Sequence, residues 1–271
     1  RSIALGQARF TKNSSLHLGQ ALCYAGPSGT IMSDTPLLEI CIDSVASAIA
    51  AEQGGAARVE LCQNLFEGGT TPSMGTVYHA LQQVGIKVNV IIRPRGGDFL
   101  YSDDEFAVMK HDIVGLKEMG INGVVIGMLN ADGTIDTERT RELIELARPL
   151  EVTFHRAFDV TADPFRSLDE LIQLGVDRLL TSGQEPSVLE GVELIAELVR
   201  RAGDDLIIMP GAGITPKNLS RIIRETGARE YHVTGSSSVD SKMKFRNDRC
   251  FMGKALYPPE FSMKVADAGK I

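Results

Sequence analysis

The chain has 271 residues, 43% hydrophobic and 23% charged, with 28 Lys and Arg against 35 Asp and Glu for a net charge of -7. That size can bury a large core as one α/β domain or two smaller ones, and the acidic balance argues against nucleic acid as a partner. No run of eighteen apolar residues occurs, so no helical membrane span is expected.

Residues 1–33 hold no Asp or Glu, three Lys or Arg and five Ser. This composition reads as a flexible N-terminal arm or leader, with mitochondrial targeting as an alternative. From residue 37 onward, short apolar strands alternate with helices. The expected strands are 37–42, 58–62, 87–92, 122–126, 151–155, 177–181, 205–209 and 230–234. Helices are expected at 44–53, 73–84, 103–119, 136–147, 163–174, 187–202 and 216–226. Thr71-Pro72-Ser73, Asp163-Pro164 and Thr215-Pro216 supply start signals, and Gly54, Gly175 and Gly227 stand near ends.

Eight strands with helical crossovers predict a parallel sheet, and eight units in one domain favour a closed (β/α)₈ TIM-type barrel over an open sheet. The first strand runs into "CIDSVAS" and lacks the glycine fingerprint of a dinucleotide fold. The barrel is expected over residues 34–238. The segment 239–271 is expected to pack on the barrel or on a neighbouring subunit, its Lys244 and Arg246 forming a solvated face or anchoring an anion.

Alternation then assigns directions. In "RVELC", Val59 and Leu61 face the helices, whereas Glu60 and Cys62 point into the barrel. The same parity sends Glu39 and Cys41 inward from strand one. Arg93 and Arg95 follow strand three, His155 and Arg156 end strand five, and His232 lies on strand eight. A buried carboxylate without a partner costs several kcal/mol, so Glu39 and Glu60 are expected to pair with Arg58, Arg93 or His155.

An enzyme reading uses this polar mouth. Glu39, Glu60, Arg93 and His155 are the catalytic candidates, with a carboxylate and His155 as acid and base. Arg95, Arg156, Gly211, Gly213, Gly235 and Ser236 are candidates for holding a small anionic or phosphorylated metabolite. Plain turn geometry explains the glycines equally, and a structural ion network explains the charges.

The stretches EICIDS, RVELCQNLFEGGTTPS, IIRPRGGDFLYSDDE, TFHRAFD, RLLTSG, PGAGIT and MKFRN, in that order over residues 37 to 247, resemble the CutC copper homeostasis family. The departures are small: Ala212 stands where a third glycine is common, and Thr234 where serine is frequent. The resemblance implies a (β/α)₈ barrel, copper handling in the cytoplasm, with nuclear presence as a further option, and a homo-oligomer, dimer or tetramer. It implies no demonstrated reaction. It also implies Cu(I) as the bound ion and Cys41 and Cys62 as its ligands. Soft thiolates select Cu(I), and neighbouring strands at equal parity bring two sulfurs together. The competing reading is a pair of inert core cysteines. The four cysteines, Cys23, Cys41, Cys62 and Cys250, lack the spacing of a disulfide scaffold and are expected to be reduced.

Overall fold

A computed structural model of the chain describes residues 36–247, 249–250 and 262–271. The N-terminal arm expected at 1–33 and most of the segment following Cys250 lie outside these residues.

Eight strands form one parallel sheet: β1 (Leu37–Ile42), β2 (Arg58–Leu61), β3 (Lys87–Ile91), β4 (Gly123–Ile126), β5 (Glu151–Phe154), β6 (Arg178–Thr181), β7 (Ile207–Pro210) and β8 (Glu230–Val233). Their order is β7-β6-β5-β4-β3-β2-β1-β8. A parallel bridge from Gly211 to His232 brings β7 to β8 and nearly closes the ring. The helices between the strands are α1 (Val45–Gln53), α2 (Met74–Gln83), α3 (Asp103–Glu118), α4 (Thr137–Ala147), α5 (Pro164–Leu174), α6 (Val192–Ala202) and α7 (Leu219–Thr226). This is the (β/α)₈ barrel that the alternation predicts.

Helix starts follow local chemistry where caps are strong. Ser102 and Glu105 form a reciprocal capping box at α3, and Asp163 caps α5 ahead of Pro164. Two starts fall later than expected. Residues 187–191 are not part of α6, because the loop folds tightly on itself: Gly183 has φ +76°, and a Cβ on Gly191 would collide with the Ser182 carbonyl. Thr215-Pro216 opens a turn instead of α7, with Asn218 Oδ1 accepting from the Thr215 N–H at 2.7 Å.

Both faces of the strands are buried, so the barrel has two packing layers. Ile40, Ile42, Val59 and Leu61 join the core between strands and helices, where Ala48, Ala51, Val77 and Ala80 lie opposite. Each fully buried large aliphatic chain there contributes about 1.5–3 kcal/mol. Inside the barrel, Cys62, Ile91 and Val125 form a second cluster joined by Cys41 and Leu65. Beyond β8 the described chain forms a hairpin, β9 (Ser236–Asp240) with β10 (Ser262–Ala266). It docks on α1, where the Ala266 N–H donates to Ser47 Oγ at 3.0 Å.

Candidate metal centre

The inward residues of β1, β2, β5, β6 and β8 build the interior from the N-terminal end upward. Arg58 is 1% exposed and donates through Nε to Glu39 and through Nη2 to Glu230 at 2.7 Å. Arg178 donates to the same Glu230 oxygen at 2.7 Å and to Glu151 at 2.8 Å, and Lys87 reaches Glu151 at 2.6 Å. Cations and anions alternate through this layer, so each buried carboxylate has a partner.

Glu39 carries the network upward. Its second oxygen meets His232 Nδ1 at 2.9 Å, and His232 Nε2 lies 3.4 Å from Glu60. The register of β1 against β8 sets Glu39 opposite His232, and that of β1 against β2 sets Cys41 opposite Glu60. One ligand atom each of Cys41, Glu60 and His232 lies within 4.8 Å of the others. Cys41 Sγ is 3.9 Å from Cys62 Sγ, and both thiols are free. Cys62 is buried to 1% exposure, whereas Cys41 keeps some access to the mouth.

Electrostatics separates these groups by role. Burial works against ionised Glu39, but the His232 hydrogen bond and the Arg58 charge prevail and hold its carboxyl at about 2. A hydrogen bond from Cys62, opposed by burial and helped by His232, lowers the Cys41 thiol to about 5. The same contact with Cys41, added to burial, pushes Cys62 well up. Burial likewise raises Glu60, reinforced by the charge of Cys41. For His232, burial disfavours the cation, yet contacts with Cys41 and Glu39 and the Glu60 charge raise it well above the usual imidazole range. The shifts favour a Cys41 thiolate beside a His232 imidazolium, while burial works against ionisation of Cys62 and Glu60. Glu39 fixes a proton on Nδ1, and Nε2 is the nitrogen turned toward Glu60.

Several residues singled out from the sequence lie elsewhere. Of the three partners expected for the buried glutamates, Arg58 engages Glu39, whereas Arg93 and His155 engage neither. Arg93 clips the mouth loops by donating to the carbonyls of Glu67, Gly69 and Gly97 at 2.7–2.9 Å and lies over the Phe99 ring. His155 is buried, its Nδ1 accepts from the Ala157 N–H at 3.1 Å, and its ring packs on Phe99. Burial and the Arg93 charge depress it to about 3, so it is neutral. Its Nε2 has no hydrogen-bond partner among the described residues. The acid–base pair of His155 with Glu39 or Glu60 is therefore not assembled here.

Arg95 is taken by Glu105 at 2.5 Å and Asp98 at 3.0 Å, and Arg156 by Asp159 and Ser182, both at 2.7 Å. Gly211 provides room for the centre, since a Cβ there would stand 2.5 Å from Leu180 Cδ1 and 3.1 Å from His232 Cβ. Ala212 takes φ +102°, a glycine-like conformation for a residue with a side chain. The Gly213 carbonyl accepts from Asn218 at 2.8 Å, and the Gly235 carbonyl accepts from the Asp267 N–H at 2.9 Å. Ser236 pairs with Ala266 in the terminal hairpin. The residue that sequence reasoning left without a role is His232. Its signal is ring closure, which makes β8 the neighbour of β1 and aligns His232 with Glu39.

The family model of the CutC family matches residues 36–237. The mouse copper homeostasis protein cutC homolog is 51% identical over 260 residues, covering 96% of this chain and 95% of that protein. The human homolog is 52% identical over 235 residues, covering 87% of this chain and 86% of its own length. Among solved structures, the CutC protein of Streptococcus agalactiae superposes with a TM-score of 0.71 at 38% identity, over 74% of this chain and 99% of that one. Phosphoribosylanthranilate isomerase from Thermotoga maritima, 13% identical with a TM-score of 0.50 over 74% of this chain and 87% of its own, shares the fold alone. The chain belongs to the CutC family.

Proposed function

We propose that this protein handles intracellular copper by binding one Cu(I) per chain through the thiolates of Cys41 and Cys62, with His232 Nε2 as a third donor, the ion displacing the protons of Cys62 and of Nε2. The observation that carries this reading is the 3.9 Å separation of the two sulfurs. Two metal–sulfur bonds of about 2.3 Å spanning that separation enclose about 115°, close to trigonal, which leaves a side open for a third ligand. Thiolates are the ligand class that favours Cu(I) over harder ions. Burial works against ionised Glu60, which disfavours it as an anionic ligand. The copper homeostasis names of the mouse and human relatives support the same cargo. Cytoplasmic location and homo-oligomerisation belong to this reading, and light scattering of the purified chain measures the second.

The test is an anaerobic competition titration of reduced protein against a chromophoric Cu(I) chelator. One Cu(I) per chain is expected, with binding lost in the Cys41→Ser, Cys62→Ser double variant. His232→Asn is expected to weaken affinity by about 10–100-fold. Unchanged uptake by the double variant removes the cysteines as ligands.

A further inference from the structure

Above Cys41 the mouth opens into a pocket of about 790 Å³, walled by the ends of β1, β2 and β8 and by the terminal hairpin. Pairing of Ser238 with Lys264 and of Ser236 with Ala266 sets these side chains on one face of the hairpin, and all four line the pocket. Asp43, two residues beyond Cys41, also lines the pocket. The other polar lining is uncharged, from Gln63, Asn64 and Thr234 among others, and Leu65 and Phe66 add an apolar side.

Besides the Cys41 sulfur, Asp43 and Lys264 are the charged side chains of the lining, one of each sign, and neither forms an ion pair with any described residue. Asp43 keeps solvent access. A volume in this range suits a small molecule. A simple phosphate would satisfy Lys264 and be repelled by Asp43. A ligand with both an ammonium and a carboxylate satisfies both, and the feature beneath it is a sulfur.

We propose that this pocket seats a small amino-acid or peptide thiol, ammonium against Asp43 and carboxylate against Lys264, which delivers Cu(I) to Cys41 or removes it. The cargo rests on the copper reading above, whereas the seat does not require the metal. In delivery, a bond from Cys41 Sγ to copper forms as one from the carrier sulfur breaks. Copper stays Cu(I), and Cys62 beneath completes the dithiolate as its proton passes to the departing carrier thiolate.

The seat is tested without copper, by calorimetric titration of S-methylglutathione into metal-free, reduced protein. Binding is expected, weakened at least about tenfold in Asp43→Lys and in Lys264→Asp and regained in the double variant that exchanges the two charges. No binding at about 10 mM, where a millimolar site is saturated, overturns the proposal. So does binding that either charge reversal leaves unchanged, or equal binding of 2-(methylthio)ethanol, which carries neither charge. A second arm compares the rate of Cu(I) transfer from its glutathione complex with that from its bicinchoninate complex. The ratio of the two rates should fall in Lys264→Asp, and an unchanged ratio refutes delivery through this seat. Wild-type protein that accepts Cu(I) from neither donor yet binds S-methylglutathione would refute the metal reading and leave the seat standing.

Discussion

Replacing Arg58 with Met tests whether the interior is organised by the ion network. Arg58 is almost fully buried and joins Glu39 to Glu230, with Met209 Sδ 3.4 Å from Nη2. Removing it leaves Glu230 with Arg178 and Glu39 with His232 alone. Breaking a buried pair from one side costs about 3–5 kcal/mol. Against burial, the His232 hydrogen bond and the Arg58 charge hold the Glu39 carboxyl at about 2. A domain of this size should lose about 6–20 °C in Tm.

The sign with pH follows from the same carboxyl. A depressed folded-state pKa stabilises above the unfolded value of 4.5, and that contribution fades as pH falls toward about 2. The deficit of Arg58→Met should therefore be full at neutral pH and smaller below about pH 4, read by urea unfolding of metal-free protein. Adding Glu39→Gln to Arg58→Met should cost less than Glu39→Gln costs alone, because the two residues share one interaction. A deficit under about 1 kcal/mol, a deficit independent of pH, or strict additivity would refute the reasoning.

The two buried glutamates should respond oppositely to loss of charge. Glu60→Gln, at a carboxyl already raised by burial, should change stability at pH 7 by under about 1 kcal/mol, whereas Glu39→Gln should cost at least about 2; equal costs would contradict the assignment of charge. His155, neutral when folded with a pKa of about 3 and able to charge when unfolded, should erode stability as pH falls below 6.5. His155→Phe, which keeps an aromatic ring against Phe99, should flatten the pH–stability curve between about 6 and 4, and an unchanged slope there would refute it.

The fold was legible because parallel strands buried on both faces appear as short apolar runs, and the caps of α3 and α5 are local chemistry. The starts of α6 and α7 were misread because they depend on contacts that a one-dimensional pattern does not hold: Gly191 pressed on the Ser182 backbone, and Asn218 bonded back to Thr215. Parity correctly turned Glu39, Cys41, Glu60 and Cys62 to one interior. It could not rank Arg93 and His155 below His232, since all are polar residues at strand ends. What separates them is circumference. His232 is set beside Glu39 by ring closure, whereas Arg93 bonds the carbonyls of its own loop region and His155 lies among Phe99 and Phe154. The partnership of Arg58 with Glu230 joins residues 172 positions apart and has no local signal.

The ionic layer also bears on why this barrel has charges where many have aliphatic chains. A buried set of ion pairs is seldom more stable than well-packed apolar residues of equal volume, so stability alone does not account for it. Its value lies in what Glu39 does with its second oxygen. Arg58 keeps that carboxyl ionised, the ionised carboxyl holds His232 by Nδ1, and the ring then stands in the cluster with Cys41 and Glu60. An apolar layer would fill the same space and leave the imidazole with no group to orient it. The N-terminal half of the barrel interior is thus the support of the centre above it, and a substitution there is expected to act on metal affinity through ring position as well as on folding.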